Sequence, residues 1–200
     1  MFFFSDQLST WNVNQSLNIE DYLDYSNADS FLIEPIGIDR ADNSTSYFCG
    51  PNVTILILVA SAPSHFLARN AVRETWGKRD ELEKNGIRLA FVLGVTHNDT
   101  VEEELMEEED KHGDIIQEDF IDSYHNLTLK TLAMLKWVNL TCPIRNETSY
   151  PQFILKTDDD MFTNIHRLLK IALDAPPSSK MMYEFKLFCF TNCKVIVISV

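Results

Sequence analysis

The apolar run from Val53 to Ala60 constrains the fold of this chain more than any other segment. It carries no charged side chain, it has the length of a strand, and Pro63 follows soon after it. A half-buried strand alternates apolar and polar residues, whereas an uninterrupted apolar strand is typical of a parallel sheet that is covered on both faces. The run therefore predicts an α/β fold with helices on both sides of a parallel sheet.

Further strands and helices alternate along the chain after this run. Apolar segments bounded by Gly or polar residues predict strands over Arg88–Gly94, Asp114–Gln117 and Gln152–Lys156. Composition and spacing predict helices over Ala68–Trp76, Val101–Lys111 and Leu127–Val138. This order predicts an α/β sandwich, and ligands of such sheets bind beyond the carboxyl ends of the strands.

Three consecutive carboxylates, Asp158, Asp159 and Asp160, follow the last of these predicted strands. Adjacent carboxylates repel one another unless a cation neutralises them, and oxygen ligands suit Mg²⁺ or Mn²⁺. An ion held by one or two carboxylates keeps open positions for a substrate diphosphate. The alternative is a solvated acidic turn. The position at the end of a parallel strand favours a metal and nucleotide-phosphate site over that alternative.

Composition narrows the class of partner. The net charge of −13 argues against a nucleic-acid partner, since phosphate backbones bind basic surfaces. The hydrophobic fraction of 45% is that of a globular chain. Residues 1–50, however, are polar, rich in Asn, Asp and Ser, and lack sustained periodicity. We expect them to form a stem or linker with little fixed structure.

Seven Asn-x-Ser/Thr sequons indicate a lumenal or extracellular chain. Four of them are the candidate glycosylation sites: Asn43, Asn52, Asn98 and Asn146. The four cysteines are scattered, have no zinc-ligand spacing, and leave the disulfide pairing open. The start shows no signal peptide, and no run is long enough to cross a membrane. We expect a start that is not the natural one rather than a soluble cytoplasmic protein.

Four sequence blocks together resemble the β-1,3-galactosyltransferase family of inverting, nucleotide-sugar-dependent Golgi enzymes. The blocks are Arg69–Gly77, Phe91–Gly94, Asp114–Thr131 and Lys156–Phe162, and the resemblance covers about residues 53 to 170. It implies a glycosyltransferase A-type, Rossmann-like nucleotide-sugar-binding sandwich, incomplete at the C-terminus. It also implies a uridine diphosphate sugar donor, an acceptor glycan on a glycoprotein or glycolipid, and a location at the lumenal side of the Golgi membrane through an anchor absent from this chain.

The resemblance also assigns roles within the site. Asp160 is the implied direct ligand of Mn²⁺, with Mg²⁺ as the other possible ion, and Asp158 is the second candidate metal residue. Asp158 and Asp159 also place the nucleotide ribose and the metal-bound waters. Arg73 either contacts the uridine or a phosphate, or forms a salt bridge with a nearby acid such as Glu74 or Asp80.

The remaining assignments concern two residues of these blocks. Lys130 either faces the donor or caps an acidic neighbour, and we place it in the nucleotide-sugar site. Trp76 is interpreted as core packing rather than base stacking.

The family pattern stops after about Lys170. In the family a later acidic block supplies the catalytic base, so the base is unassigned here. We divide the chain into a stem over 1–50, a partial donor-binding domain over 51–172 and a tail outside the family over 173–200. The apolar tail either patches an open sheet edge or is an aggregation liability.

The leading interpretation is a hexosyltransferase that transfers galactose or N-acetylglucosamine in protein glycosylation. A second is an inactive product, a truncated isoform or gene-model fragment, that keeps the metal- and UDP-binding half. A third is an unrelated metal-dependent phosphohydrolase, which would need further ligands, usually His or Asp on other strand ends. The available histidines, His97, His112 and His166, lack ligand spacing.

Overall fold

The computed structural model describes residues 30–35, 37–38, 45–46, 48–50, 53–142, 151–174, 182–185 and 195–199. The strands within these residues are β1 Phe31–Ile33, β2 Gly37–Ile38, β3 Thr45–Ser46, β4 Ile55–Ala60, β5 Ile87–Val95, β6 Ile115–Ile121, β7 Phe153–Asp158, β8 Met182–Phe185 and β9 Val195–Ser199. The helices are α1 Phe66–Glu74, α2 Arg79–Glu83, α3 Asp99–His112, α4 Leu127–Thr141 and α5 Ile165–Asp174, with a 3₁₀ turn at Tyr124–Asn126. No helix among these residues combines the length and apolarity that a membrane crossing requires.

A seven-stranded sheet in the order β1-β6-β5-β4-β7-β9-β8 forms the centre of the fold, and β2 and β3 pair separately. The central strand β4 is parallel to both neighbours, with Ile55 opposite Ile87 of β5 and Phe153 of β7. β6 continues the parallel part beside β5. Every residue of β4 is buried, so the prediction of a doubly covered strand is confirmed.

Alternate residues of β4 face two separate cores. Leu58 lies in a cluster with Trp137 of α4 on one face of the sheet. Val59 lies in a second cluster with Val72 of α1 and Leu168 of α5 on the other face. Because successive side chains of a strand point to opposite faces, helices cover both sides, and the expected α/β sandwich is confirmed.

The predicted elements correspond to β4, β5, β6 and β7 and to α1, α3 and α4. Their ends differ from the prediction by up to four residues, the largest difference being at the end of β6. The short helix α2 and the amphipathic helix α5 were not predicted.

The strand β1 lies within residues 1–50, where we predicted little fixed structure. β1 pairs antiparallel with β6, with Phe31 opposite Glu118. Lys136 of α4 donates to Glu118 Oε1 over 3.0 Å at the same edge. Pairing with a distant strand supplies the backbone hydrogen-bond partners, and local polarity does not reveal it. Residues 1–29 lie outside the described part.

A disulfide between Cys49 and Cys142 joins the segment before β4 to the end of α4. Beside it, the ring of Phe48 meets Trp137 edge to face, with 5.7 Å between the ring centroids. The spacing of the cysteines left the pairing open, and the packing of α4 against the sheet brings this pair together. Cys189 and Cys193 lie outside the described residues.

The tail contributes β8 and β9 to the sheet. β9 pairs antiparallel with β7, with Phe153 opposite Ser199, and β8 pairs with β9. β7 therefore has a partner on each side, which confirms the expectation that the apolar tail patches an open sheet edge.

Candidate functional site

The aspartate triplet lies at the carboxyl edge of the sheet, beside the central strand. Asp158 is the last residue of β7 and pairs with Ala60, the last residue of β4. The N–H of Asp159 donates to Ala60 O over 3.1 Å, and the N–H of Met161 donates to Asp158 O over 3.2 Å. Because of these hydrogen bonds, the chain turns directly after β7. The sheet therefore fixes the backbone that carries the three aspartates.

The three neighbouring carboxylates have different surroundings. The side chain of Asp159 is 11% exposed, and its Oδ2 accepts a hydrogen bond from Ser61 Oγ over 2.7 Å and lies 2.9 Å from His65 Nδ1. The side chain of Asp158 is 55% exposed, and Asp160 is also exposed. Mutual repulsion is reduced because the middle carboxylate turns towards hydrogen-bond donors while its neighbours meet water.

Asp158 and Asp160 fit a hard divalent cation. Both present carboxylate oxygens to solvent, and these are the ligands that Mg²⁺ and Mn²⁺ prefer. Lys156 Nζ lies 3.7 Å from Asp158 Oδ1, a distance longer than a close ion pair. No group of three or more His, Cys, Asp or Glu side chains suited to a metal forms in the described part of the chain. Two exposed carboxylates suit an ion held by one or two protein ligands, with its other positions filled by substrate and water.

Arg73 belongs to a cluster of ion pairs. Its Nη2 lies 2.6 Å from Asp114 Oδ1 and its Nη1 lies 2.5 Å from Glu108 Oε1, with its side chain 11% exposed. Burial works to lower the pKa of Arg73, but the bonds to Asp114 and Glu108 outweigh burial and raise the pKa. A salt bridge with a nearby acid was one of the two alternatives for Arg73, and its partners are Glu108 and Asp114. The acids that face it come from α3 and from the start of β6, and contact with a nucleotide stays a prediction.

Lys130 is buried at the carboxyl edge and caps an acidic neighbour. Its Nζ donates to Ser61 O over 2.5 Å and to Asp122 Oδ1 over 2.9 Å. The N–H of Gly94 donates to Asp122 Oδ2 over 2.8 Å, so this carboxylate joins the ends of β5 and β6 to α4. Capping was one of the two alternatives for Lys130. Because its ammonium points into the protein, direct contact with a donor stays a prediction.

Arg69 has a prominent position that the sequence did not reveal. It is fully buried, and its guanidinium donates to Glu108, to Ser61 Oγ over 3.1 Å, and to the next two carbonyl oxygens after Ser61 over 2.6 and 2.9 Å. The available signal was its spacing from Arg73, since residues four apart share a helix face. Their common partner, Glu108, lies on another helix, and sequence alone does not bring it near.

Trp76 is 8% exposed and packs in the core, which confirms its interpretation as a packing residue. Its Nε1 donates to Met161 O over 3.0 Å. The indole therefore fixes the segment that directly follows the triplet.

Of the glycosylation candidates, Asn98 lies within the described residues, and Asn43, Asn52 and Asn146 lie outside them. Asn98 is exposed and caps α3, its Oδ1 accepting hydrogen bonds from the N–H groups of the residues two and three positions later. Capping uses the side-chain oxygen, whereas a glycan is attached to the side-chain nitrogen, so the two roles are compatible. Glycosylation of Asn98 stays a prediction.

The sequence profile of the family described as Galactosyltransferase matches residues 67–196. The match continues beyond residue 170, where we expected the resemblance to stop, and it includes β8 and reaches β9. The division of the chain at residue 172 stays a prediction, although the family match and the sheet both include strands of the tail.

Curated relatives match the same part of the chain. Beta-1,3-galactosyltransferase 5 of Pan paniscus is 39% identical over 131 residues, which are 66% of this chain and 42% of that protein. Beta-1,3-galactosyltransferase 4 of Mus musculus is 41% identical over 138 residues, 68% of this chain and 35% of that protein. Beta-1,3-galactosyltransferase 1 of Mus musculus is 42% identical over 135 residues, 66% of this chain and 38% of that protein. The chain thus spans about two fifths of the length of these relatives.

Proposed function

This chain belongs to the galactosyltransferase family, and on that premise we propose that it is a hexosyltransferase. It takes galactose or N-acetylglucosamine from a uridine diphosphate sugar and transfers it to an acceptor glycan on a glycoprotein or glycolipid. The names of the matched relatives support a β-1,3 linkage and do not favour the alternative of an inactive product.

One observation carries the proposal, namely the exposed pair Asp158 and Asp160 at the carboxyl edge of β7. β7 is paired with the central strand, and parallel sheets bind ligands at this edge. The two carboxylates stand on either side of a residue whose own carboxylate is turned inward. They therefore offer a small, solvent-facing set of oxygen ligands to a cation that also binds a diphosphate.

The residues of the chain take separate roles in this proposal. Asp160 is the direct ligand of Mn²⁺, or of Mg²⁺ in its place, and Asp158 is the second carboxylate. The bound ion would offset the negative charge of the leaving diphosphate and so ease cleavage of its bond to the sugar. Lys130 and Arg69 hold the ends of the strands around the site.

The catalytic base, which takes the proton of the acceptor hydroxyl, is not assigned to any residue. Such a base must come within hydrogen-bond reach of that proton. The family pattern places it in a later acidic block, and the side chains that follow Asp174 are outside the described part.

We further propose that the protein acts at the lumenal side of the Golgi membrane. The disulfide between Cys49 and Cys142 supports an oxidising compartment, because disulfides persist mainly in secretory compartments and outside the cell. The seven sequons support the same route.

The first experiment measures Mn²⁺-dependent binding of uridine diphosphate by calorimetry. Wild-type protein should bind in the presence of Mn²⁺ and lose binding when the ion is chelated. Asp160→Ala should reduce the affinity at least about tenfold, since it removes a carboxylate from an ion with few protein ligands.

Asp110→Ala is the matched control, because Asp110 is an exposed carboxylate near the end of α3 that takes no part in the contacts described for the triplet. It should bind as wild type does. Equal affinities of wild type and Asp160→Ala, both cooperatively folded, would contradict the assignment of the metal site.

A further inference from the structure

Ser61, the residue directly after β4, is bonded on both sides by charged groups. Its side-chain oxygen accepts a hydrogen bond from Arg69 Nη1 over 3.1 Å and donates to Asp159 Oδ2 over 2.7 Å. Ser61 is 3% exposed and Arg69 is fully buried. The hydroxyl therefore lies between a permanent cation and the middle carboxylate of the triplet.

The single hydroxyl hydrogen of Ser61 is directed by this arrangement. Arg69 can only donate, so it occupies an acceptor position of the oxygen and leaves the hydrogen for another partner. The carbonyl oxygen of Ala62 is 3.5 Å away, whereas Asp159 Oδ2 is 2.7 Å away. The shorter bond to a charged acceptor is the stronger one.

Arg69 is itself held in place. Its Nε and Nη2 contact the carboxylate of Glu108, and Nη1 and Nη2 donate to the carbonyl oxygens of Ala62 and Pro63. A guanidinium group that is hydrogen-bonded through all three of its nitrogens has little rotamer freedom. The position of the Ser61 hydroxyl is thus set by α1 and α3 and not by its own turn alone.

We propose that Ser61 is a positioning residue for the cation site, acting through Asp159. By holding the middle carboxylate inward, together with His65 Nδ1 at 2.9 Å, it leaves Asp158 and Asp160 as the solvent-facing pair. Without these bonds, the three carboxylates would face the same small region, and their repulsion would push Asp158 and Asp160 apart. This inference rests on the proposed function of the site.

The test is a set of substitutions at Ser61 measured by the affinity for Mn²⁺ and uridine diphosphate. Ser61→Ala and Ser61→Val remove the hydroxyl and should weaken binding about tenfold, whereas Ser61→Thr keeps the hydroxyl and should retain most of the affinity. Thr and Val have nearly the same shape, so their comparison isolates the hydrogen bond. Ser64→Ala, at an exposed position in the same turn, is the control and should match wild type.

A double-mutant cycle separates positioning from general structural support. Asp159→Ala removes the group through which Ser61 acts, so Ser61→Ala should then cause no further loss of affinity. If Ser61→Ala binds as tightly as wild type, or if its loss persists in the Asp159→Ala background, the inference is overturned.

The same four proteins distinguish failure of the inference from failure of the proposed function. If wild type shows no Mn²⁺-dependent binding, the proposed donor-binding function fails. Urea unfolding of the four proteins then tests the hydrogen bond between Ser61 and Asp159 on its own. A coupling of about fivefold between the two substitutions in the unfolding equilibrium constant would support the hydrogen bond. Additive effects of the two substitutions would show that Ser61 does not position Asp159.

Discussion

At the scale of single residues, Ser61 and Lys130 show how the end of β4 is fixed. The N–H of Ser61 donates to Val92 O, its carbonyl oxygen accepts from Lys130, and its hydroxyl bridges Arg69 and Asp159. Every polar group of this buried residue therefore has a partner, and two of the partners are cations. A turn bonded in this way provides a rigid base for the neighbouring triplet.

Replacing Lys130 by Met should destabilise the protein strongly. The side chains of Lys130 and Asp122 are 4% and 7% exposed, and their charged atoms lie 2.9 Å apart. Removing the cation leaves Asp122 as a buried charge with only the N–H of Gly94 donating to it among the described residues, which should cost about 3–5 kcal/mol in the free energy of unfolding. Urea denaturation measures this loss.

The double variant Lys130→Met with Asp122→Asn serves as the control. It removes both charges, so it should recover a large part of the loss. A Lys130→Met protein as stable as wild type would show that the buried ion pair is not formed.

At the scale of elements, ion pairs hold an acidic helix against the sheet. α3 buries Leu105 and Glu108, and its other side chains are partly or fully exposed. The carboxylate of Glu108 forms ion pairs with both Arg69 and Arg73 of α1. Burial works to raise the pKa of Glu108, but the bonds to the two arginines outweigh burial and lower the pKa. α3 therefore contacts the rest of the sandwich through buried charge pairs as well as through Leu105, and removing one partner of such a pair would leave an uncompensated buried charge.

The contact between the end of α3 and the start of β6 should depend on pH through Glu109. Burial, with a contribution from the charge of Asp114, raises the pKa of Glu109 to about 7 from 4.5, against a hydrogen bond from the N–H of Ile115. The folded state then binds the proton more tightly than the unfolded state. The stability from this group is complete below about pH 4.5 and is lost as the pH rises through about 7.

Glu109→Gln should therefore gain stability relative to wild type as the pH rises from 5 to 8, measured by urea unfolding at each pH. Gln keeps an oxygen that can accept from Ile115 but does not ionise. Glu107→Gln, at an exposed position on the same helix, should follow the wild-type profile. A constant difference between Glu109→Gln and wild type across this range would contradict the prediction.

At the scale of the whole molecule, contacts between residues distant in sequence add strands on both sides of the parallel core and cross-link the chain. β1 and β9 come from the two ends of the chain and flank the parallel core, β1 beside β6 and β9 beside β7. The disulfide between Cys49 and Cys142 spans 93 residues and encloses most of the parallel strands together with α1 to α4. Cross-linking such a long loop restricts the unfolded chain more than a short one would.

Removing this disulfide should lower the free energy of unfolding by about 2–5 kcal/mol, as for other long closed loops. Both cysteines are buried, so Cys49→Ala combined with Cys142→Ala is the suitable variant. Urea unfolding of this variant and of wild type under non-reducing conditions gives the comparison. Equal stabilities would show that the bond does not constrain the unfolded state.

The sequence by itself determined the parallel core and the location of the proposed cation site. An apolar run as continuous as Val53–Ala60 is stable only where both faces are covered, and three aspartates at the end of a parallel strand lie at the edge where such sheets bind ligands. These features follow from local composition and periodicity, which a single segment carries. The family resemblance added the expected roles of Asp158 and Asp160.

The tertiary structure alone decided which residues meet across the chain. The partners of Arg73, the burial of Lys130, the pairing of Cys49 with Cys142 and the inward turn of Asp159 all join residues that are distant in sequence. β1 and β9 likewise obtain their hydrogen bonds from strands formed elsewhere in the chain. Local sequence sets which side chains can donate, accept or carry charge, but only the packing of helices on the sheet sets which of them come within bonding distance.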